Sequence, residues 1–386
     1  MRALITGGGT GGHFYPALSV MQKLTEASTN NKIYYLGTGH GLESKLVLDY
    51  EWINFIAITV RGLSRQSAWR LLLGLVLLPV GMVQGLYVVL RYRPDVIYGT
   101  GGYASFPVGF WGAVLRIPVV IHELNVKPGL TNRLLAPIVA AIAISFRETE
   151  RYLPEKKCIL TGTPVRPKLH KLEEITPETQ KTFGLDPDSP IIMVFGGSKG
   201  SSVLVDKVIA DLEREIRNTR IQFLIQTGDD YHRKALERLG GVKGISEKRV
   251  RIVRYIDDMD HAYSLSDLVI CRGGASTMAE LIVTKKPAIV VPWAGSAEDH
   301  QYHNATSLSD AGAAITVKEE DWWDFPLVER LNDLIRPDPN VHGASNRLEK
   351  MSKHYEELKT GEATGRLLDL LENIVHEENY ANDRSK

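Results

Sequence analysis

Cysteine is nearly absent from this 386-residue chain: Cys158 and Cys271 are the two it has, and neither metal-ligand spacing nor a pairing pattern surrounds them. A disulfide-built fold is excluded, and a reducing compartment is expected. Net charge is absent too, with 46 basic against 46 acidic side chains, which argues against a nucleic-acid partner held by bulk positive charge. The N-terminus lacks a basic stretch followed by an apolar run and a small-residue cleavage site, so no secretion signal is expected. Asp and Glu are missing altogether from Trp52 to Pro94. In that window Arg61, Arg65, Arg70, Arg91 and Arg93 bracket Leu71 to Leu90, twenty residues without a charge. The length is that of a membrane span, but Gly74, Pro79, Gly81, Gln84 and Gly85 make it a poor single transmembrane helix. We expect a crossover helix buried against a sheet that also touches an anionic membrane surface.

What is present is ordinary globular material, 44% hydrophobic and 24% charged, enough for two cores at roughly 150 residues per domain. The first part is the basic one: residues 1–163 hold 16 basic and 9 acidic side chains, leaving 30 and 37 for the rest. Apolar runs at Ala3 to Thr6, Ile33 to Leu36, Ile53 to Val60, Val96 to Tyr98, Pro118 to Ile121 and Ala141 to Ile144 are spaced for helical crossovers and predict a parallel sheet. Thr161 to Lys181 is polar and proline-bearing, as a linker would be. The pattern then restarts at Ile191 to Phe195, with further runs at Ile221 to Gln226, Val250 to Val253, Leu268 to Ile270 and Ala288 to Val291, and a helix expected from Ser276 to about Val283. The spacing therefore predicts two Rossmann-like α/β domains in tandem. An amphipathic stretch from Asn346 to Val375 and a frayed polar tail from His376 close the chain.

Four glycine turns follow strands. Gly7, Gly9 and Gly12 satisfy G-x-G-x-x-G before a helix, where backbone N–H groups can hold a phosphate. The acidic ribose partner of a dinucleotide site is missing, because Tyr34 to Gly37 supply none at the end of the second strand. His13 would sit in the first turn of the helix, either as a base beside a diphosphate or in a local hydrogen bond. Gly99 to Gly102 adds a second anion cradle to the same half. In the other half Gly196, Gly197, Ser198 and Gly200 form a third turn, and Arg272 to Gly274 a fourth. Glu280 there suits either a helix dipole or two ribose hydroxyls, while Asp299, His300, Gln301 and Asn304 suit sugar hydroxyls or a solvated loop. The D-x-D pairs Asp186/Asp188 and Asp258/Asp260 read as turn and cap residues, not metal ligands, and no metal or cofactor is expected.

Together these residues resemble the MurG glycosyltransferases of bacterial peptidoglycan synthesis, in nearly the whole chain and in motif order. The likeness is carried by Gly8 to His13 (GGTGGH), Gly101 to Ser105 (GGYAS), His122 to Asn125 (HELN), Gly162 to Arg166 (GTPVR), Gly196 to Gly200 (GGSKG), Tyr255 to Met259 (YIDDM) and Asp299 to Asn304 (DHQYHN). It implies the GT-B fold, two Rossmann-like domains facing across a cleft. It also implies inverting transfer of GlcNAc from UDP-GlcNAc to the 4-hydroxyl of undecaprenyl-diphospho-MurNAc-pentapeptide (lipid I), giving lipid II. Implied donor contacts are Thr10, Gly11, Gly12, Asn125, Arg166, Ser198, Ile256, Ala275, Ser276, Thr277, Met278, Ala279, Glu280 and Gln301, with Ile256 meeting uracil through its backbone. His13 is implied as the base, and Gly9, Gly101, Gly102 and Tyr103 as the cradle of the acceptor diphosphate. Thr163, Lys199 and Gly273 depart from the residues common in the family, Asn, Gln and Ala.

The expected organisation is an acceptor and membrane-association domain over 1–163, a donor domain over 164–345, and a terminal helix over 346–386 packing back on the first. The expected place is the cytoplasmic face of the bacterial membrane, with partners in cell-wall synthesis or division. Rival readings are a UDP-GlcNAc 2-epimerase of the same fold, an NAD-dependent oxidoreductase favoured only by the first glycine motif, and a non-catalytic membrane-associated binding protein.

Overall fold

The computed structural model describes residues 1–8, 11–41, 43–62, 68–173, 175–176, 182–197, 199–214, 220–242, 249–336, 347–358 and 360–384. The chain forms two compact units, Met1–Val165 with Thr360–Lys386, and Arg166–Lys359.

In the first unit β1 (Arg2–Thr6), β2 (Lys32–Thr38), β3 (Asn54–Ile58), β4 (Val96–Gly99), β5 (Val119–Glu123), β6 (Ala141–Ile144) and β7 (Cys158–Leu160) make one sheet in the order β3-β2-β1-β4-β5-β6-β7. Every pairing is parallel. Strands covered on both faces must be apolar throughout, and Ile97, Val120, Ile121 and Ile142 are accordingly buried. One face packs on the Gly11–Ala27 helix through Phe14, Ala17 and Met21. The other carries Val88, Val89 and Val108. The strand order reverses between β1 and β4, and at such a switch point the loops diverge and leave a crevice at the carboxyl ends of the strands.

The Ala68–Tyr92 segment is one continuous helix connecting β3 to β4. Its glycines do not break it. A Cβ on Gly81 would meet Val60 Cγ1 at 2.0 Å, and one on Gly85 would meet Pro107 Cβ at 2.7 Å. They are close-packing positions on the inner face. Leu72–Tyr92 has the length and apolar composition to cross a membrane, with 28% of that window buried inside the protein. The exposed face carries Trp69, Leu72, Leu75, Val76, Val80, Val83, Tyr87 and Leu90.

The second unit repeats the plan. Strands β8 (Ile191–Phe195), β9 (Gln222–Gln226), β10 (Val250–Val253), β11 (Leu268–Cys271), β12 (Ala288–Val290) and β13 (Ala314–Thr316) run in the order β10-β9-β8-β11-β12-β13, with the switch point between β8 and β11. Every pairing here is parallel too. The sequence reading missed β7 and β13, both three-residue strands at the edge of their sheets.

Two readings of the chain's end need correction. The Arg347–Leu358 helix belongs to the second unit, where Leu348, Met351 and Tyr355 are buried, so the return to the first unit starts at Thr360, not 346. The Ala363–Arg384 helix then buries Leu367 and Leu371 against the core of the first unit, and it runs on past His376 instead of fraying there. Within the expected linker a 3-10 turn at Pro167–His170 buries Leu169; residues 174 and 177–181 lie outside the described residues.

Candidate functional site

All four glycine turns fall at the two switch points, after β1 and β4 in the first unit and after β8 and β11 in the second. In the first unit the turns after β1 and β4 interlock. Thr100 N–H donates to Thr6 O at 2.8 Å, and Thr100 Oγ1 donates to His13 O at 2.9 Å. Gly101 and Gly102 have φ of +99° and +79°, a conformation glycine adopts at no steric cost. A Cβ at 102 would lie 2.4 Å from Gly8 O, and one at 101 would lie 3.2 Å from His13 Cε1. Gly9 and Thr10 lie outside the described residues.

His13, half-buried on the first turn of its helix, places Nδ1 2.8 Å from Thr100 O. A carbonyl can only accept, so Nδ1 carries the proton and Nε2 of the neutral ring is left as an acceptor. Burial pushes the His13 pKa below the usual 6.5, opposed by the Thr100 carbonyl and the charge of Glu43. The result is a neutral imidazole whose tautomer is set by a residue 87 positions away.

The acidic residue missing from the end of β2 is supplied five positions later. Glu43, fully buried, accepts from Thr38 N–H at 3.0 Å and Thr38 Oγ1 at 2.8 Å. Tyr103 hydrogen-bonds the same Thr38 side chain. The carboxylate is therefore committed to the protein's own groups, unlike a ribose acceptor of a dinucleotide site. Asn125 is held from beneath. Its backbone N–H and Nδ2 donate to Glu123 Oε1 at 2.9 and 3.1 Å, while Gly129 N–H and Asn132 Nδ2 donate to Glu123 Oε2 at 3.0 and 2.8 Å. Burial raises the Glu123 carboxyl, and these four donors oppose the rise. Thr163, one of the departures, donates to Ser145 Oγ at 2.6 Å.

In the second unit Gln226, at the end of β9, ties two loops: its Nε2 donates to Gly197 O at 2.9 Å, and its Oε1 accepts from Ile256 N–H at 3.0 Å. The N–H of Ile256 is thus engaged, which narrows the backbone contact expected there to the carbonyl. Ser198 lies outside the described residues. The Ala275–Thr284 helix begins after Gly274 with no side-chain cap, so its first N–H groups remain for an anion. Thr277, Met278 and Ala279 continue its first turns. Ser276 Oγ is buried there without a hydrogen-bond partner. Glu280 follows on the same helix and accepts from the Tyr263 hydroxyl at 2.9 Å. Burial raises its pKa, with Arg166 and that hydroxyl pulling the other way.

Arg272 is nearly buried and gathers the strand ends. It donates to Ser201 Oγ at 2.9 Å, to Val291 O at 3.1 Å and to Glu319 Oε1 at 2.5 Å. Gln301 Oε1 accepts from Trp293 N–H at 2.9 Å, so the side-chain N–H₂ is what Gln301 can offer a ligand. At the departure Gly273, a Cβ would lie 2.2 Å from Gln301 O; in this chain the neighbouring helix start comes too close for alanine. Of the D-x-D pairs, Asp186 is a turn residue whose Oδ1 accepts from Asp188 N–H at 3.1 Å. The expected capping fails at the second pair: Asp258 stands at the N-cap of the Met259–Leu265 helix without a side-chain cap bond, and Asp260 faces Lys168 at 3.6 Å. Among the described residues no group of three or more His, Cys, Asp or Glu could hold a metal ion.

Sequence reasoning passed over Thr100, Glu43, Gln226 and Tyr263. Thr100 and Gln226 carried only the common preference for polar residues near strand ends, while Glu43 and Tyr263, on the Glu43–Leu46 and Met259–Leu265 helices, carried no local signal of their own.

Residues 3–144 match the N-terminal domain of glycosyltransferase family 28, and residues 191–359 match its C-terminal domain. A curated relative from Halothermothrix orenii is 35% identical over 380 residues, 97% of this chain and 99% of that protein. One from Carboxydothermus hydrogenoformans is 36% identical over 349 residues, 88% and 92% of the two chains. Both are named UDP-N-acetylglucosamine--N-acetylmuramyl-(pentapeptide) pyrophosphoryl-undecaprenol N-acetylglucosamine transferase. Among solved structures, MurG of Acinetobacter baumannii superposes with a TM-score of 0.72 at 25% identity, over 96% of this chain and 99% of that one. The UDP-GlcNAc 2-epimerase of Neisseria meningitidis shares the fold alone, with a TM-score of 0.66 at 16% identity over 97% of this chain and all of that one.

Proposed function

The chain belongs to glycosyltransferase family 28, in its MurG branch with the GT-B fold, and we propose that it transfers GlcNAc from UDP-GlcNAc to the 4-hydroxyl of lipid I, forming lipid II for peptidoglycan. The observation that carries the chemistry is the His13 imidazole, anchored through Nδ1 at the β1/β4 switch point with Nε2 left to accept a proton. In an inverting single displacement, Nε2 takes the hydroxyl proton as the oxygen bonds to the anomeric carbon. The bond from that carbon to the β-phosphate oxygen breaks, and UDP leaves with the electron pair. Gly9, Gly101, Gly102 and Tyr103 cradle the acceptor diphosphate. Thr10, Gly11, Gly12 and Asn125 serve the donor. Arg166, Ser198 and the N–H groups from Ala275 onward stabilise the leaving diphosphate electrostatically. Ile256, Glu280 and Gln301 read uracil, ribose and sugar.

The lipid acceptor implies a peripheral protein at the cytoplasmic membrane face, serving wall assembly and through it cell shape and division. Support comes from the exposed apolar face of the Ala68–Tyr92 helix, with Arg61, Arg91 and Arg93 at its flanks and no acidic residue from Trp52 to Pro94. Apolar contact plus cationic attraction is what surface binding needs. Val76→Glu with Val83→Glu should lower co-sedimentation with anionic vesicles, and unchanged partition would remove this reading.

The deciding assay is UDP release from UDP-GlcNAc with and without a lipid I analogue, in EDTA, for wild type and His13→Ala. Acceptor-dependent release, lost by about 10²- to 10⁴-fold in the variant with donor affinity kept, is the expected result. Release without acceptor would move the protein to the epimerase reading, and full turnover by His13→Ala would remove that residue from the chemistry.

A further inference from the structure

Glu280 does not meet the donor site as an unconstrained carboxylate. The Tyr263 hydroxyl donates to its Oε2 at 2.9 Å. Tyr263 is fully buried, its ring edge-on to Phe195 with centroids 6.4 Å apart and planes at 90°. Phe195 ends β8 and leads into the Gly196 to Gly200 turn, so the phenol is braced by the element that carries the phosphate loop. Glu280 itself is only half-buried, with its second oxygen, Oε1, outside this bond. Burial and the neighbouring Glu280 charge push the Tyr263 pKa well up, which keeps the hydroxyl a neutral donor at any working pH. A carboxylate fastened at one oxygen has lost its rotamer freedom before any ligand arrives, and that pre-organisation strengthens what the other oxygen binds.

We propose that Tyr263 is a positioning residue that fastens Glu280 in one orientation, so that Oε1 accepts from the ribose hydroxyls and the site prefers a ribonucleotide to its 2′-deoxy counterpart. This rests on the reading of Glu280 as the ribose acceptor. Tyr263→Phe keeps the ring and its packing and deletes only the donor.

The test is calorimetric titration of UDP and dUDP into wild type, Tyr263→Phe and Glu280→Gln, each checked for a wild-type thermal midpoint within a few degrees. Wild type should prefer UDP. Glu280→Gln should lose most of that preference, which bears on the ribose reading alone. Tyr263→Phe should cut the UDP/dUDP affinity ratio about five- to tenfold, the share of a charged hydrogen bond that orientation supplies. A merely structural tyrosine would weaken both ligands equally. An unchanged ratio in Tyr263→Phe, beside a collapsed ratio in Glu280→Gln, overturns the positioning role. An unchanged ratio in Glu280→Gln overturns the ribose reading and the proposal with it.

Discussion

Replacing Gly101 with alanine should slow catalysis without touching a reacting group. The residue has φ of +99°, where an L side chain costs about 1–2 kcal/mol. The new methyl would lie 3.2 Å from His13 Cε1 and 3.4 Å from Nδ1, inside ordinary van der Waals distance. The ring must give way by a few tenths of an ångström, against the 2.8 Å bond from Nδ1 to Thr100 O that orients it. If a 1 Å misplacement costs about 10²-fold, a shift of this size costs about three- to tenfold in kcat. The backbone strain lowers the melting temperature of the first unit by roughly 2–8 °C. Steady-state UDP release at saturating donor and acceptor gives the first quantity and scanning calorimetry the second. Gly129→Ala is the control: its φ is −66° and nothing lies within 4 Å of the added carbon, so both values should stay at wild type. A folded Gly101→Ala protein with wild-type kcat would refute the placement of the imidazole against this loop.

Other consequences follow from single groups. Burial lowers the His13 pKa and only the neutral ring is a base, so the acid limb of kcat/KM should lie below pH 6.5; a limb centred above 7 would contradict it. His122 is buried, with its pKa pushed down to about 3. The unfolded chain therefore takes up that proton near pH 6.5 while the folded one does not. The stability contributed above pH 6.5 is lost at roughly 1.4 kcal/mol per unit as pH falls toward 3. Urea unfolding at pH 6.5 and 5.5 should show a loss of about 1 kcal/mol by that arithmetic, absent in His122→Asn. Ser276 Oγ is buried without a hydrogen-bond partner, so Ser276→Ala should leave the melting temperature nearly unchanged while raising the KM for UDP-GlcNAc about tenfold. An unaltered KM would remove the hydroxyl from the donor site.

The parallel sheets were legible because strands such as Ile191 to Phe195 are covered on both faces and must be continuously apolar. The glycine turns were legible because each follows such a run directly. Gly81 and Gly85 misled in one respect: they read as helix breakers, yet they are the points where the helix comes closest to Val60 and Pro107. Local chemistry alone does not say what a glycine faces.

Sequence by itself thus determined where backbone N–H groups could cradle phosphates, since a strand, a glycine turn and a helix are encoded within about a dozen neighbouring residues. It also determined that His13 would stand at one of those turns. The tertiary structure alone decided which tautomer that histidine holds, because its partner Thr100 is brought beside it only when β4 pairs with β1. In the same way Gln226 links Gly197 to Ile256, and Tyr263 fastens Glu280. Such contacts depend on strand order and side-chain direction, and pattern within a single segment carries neither.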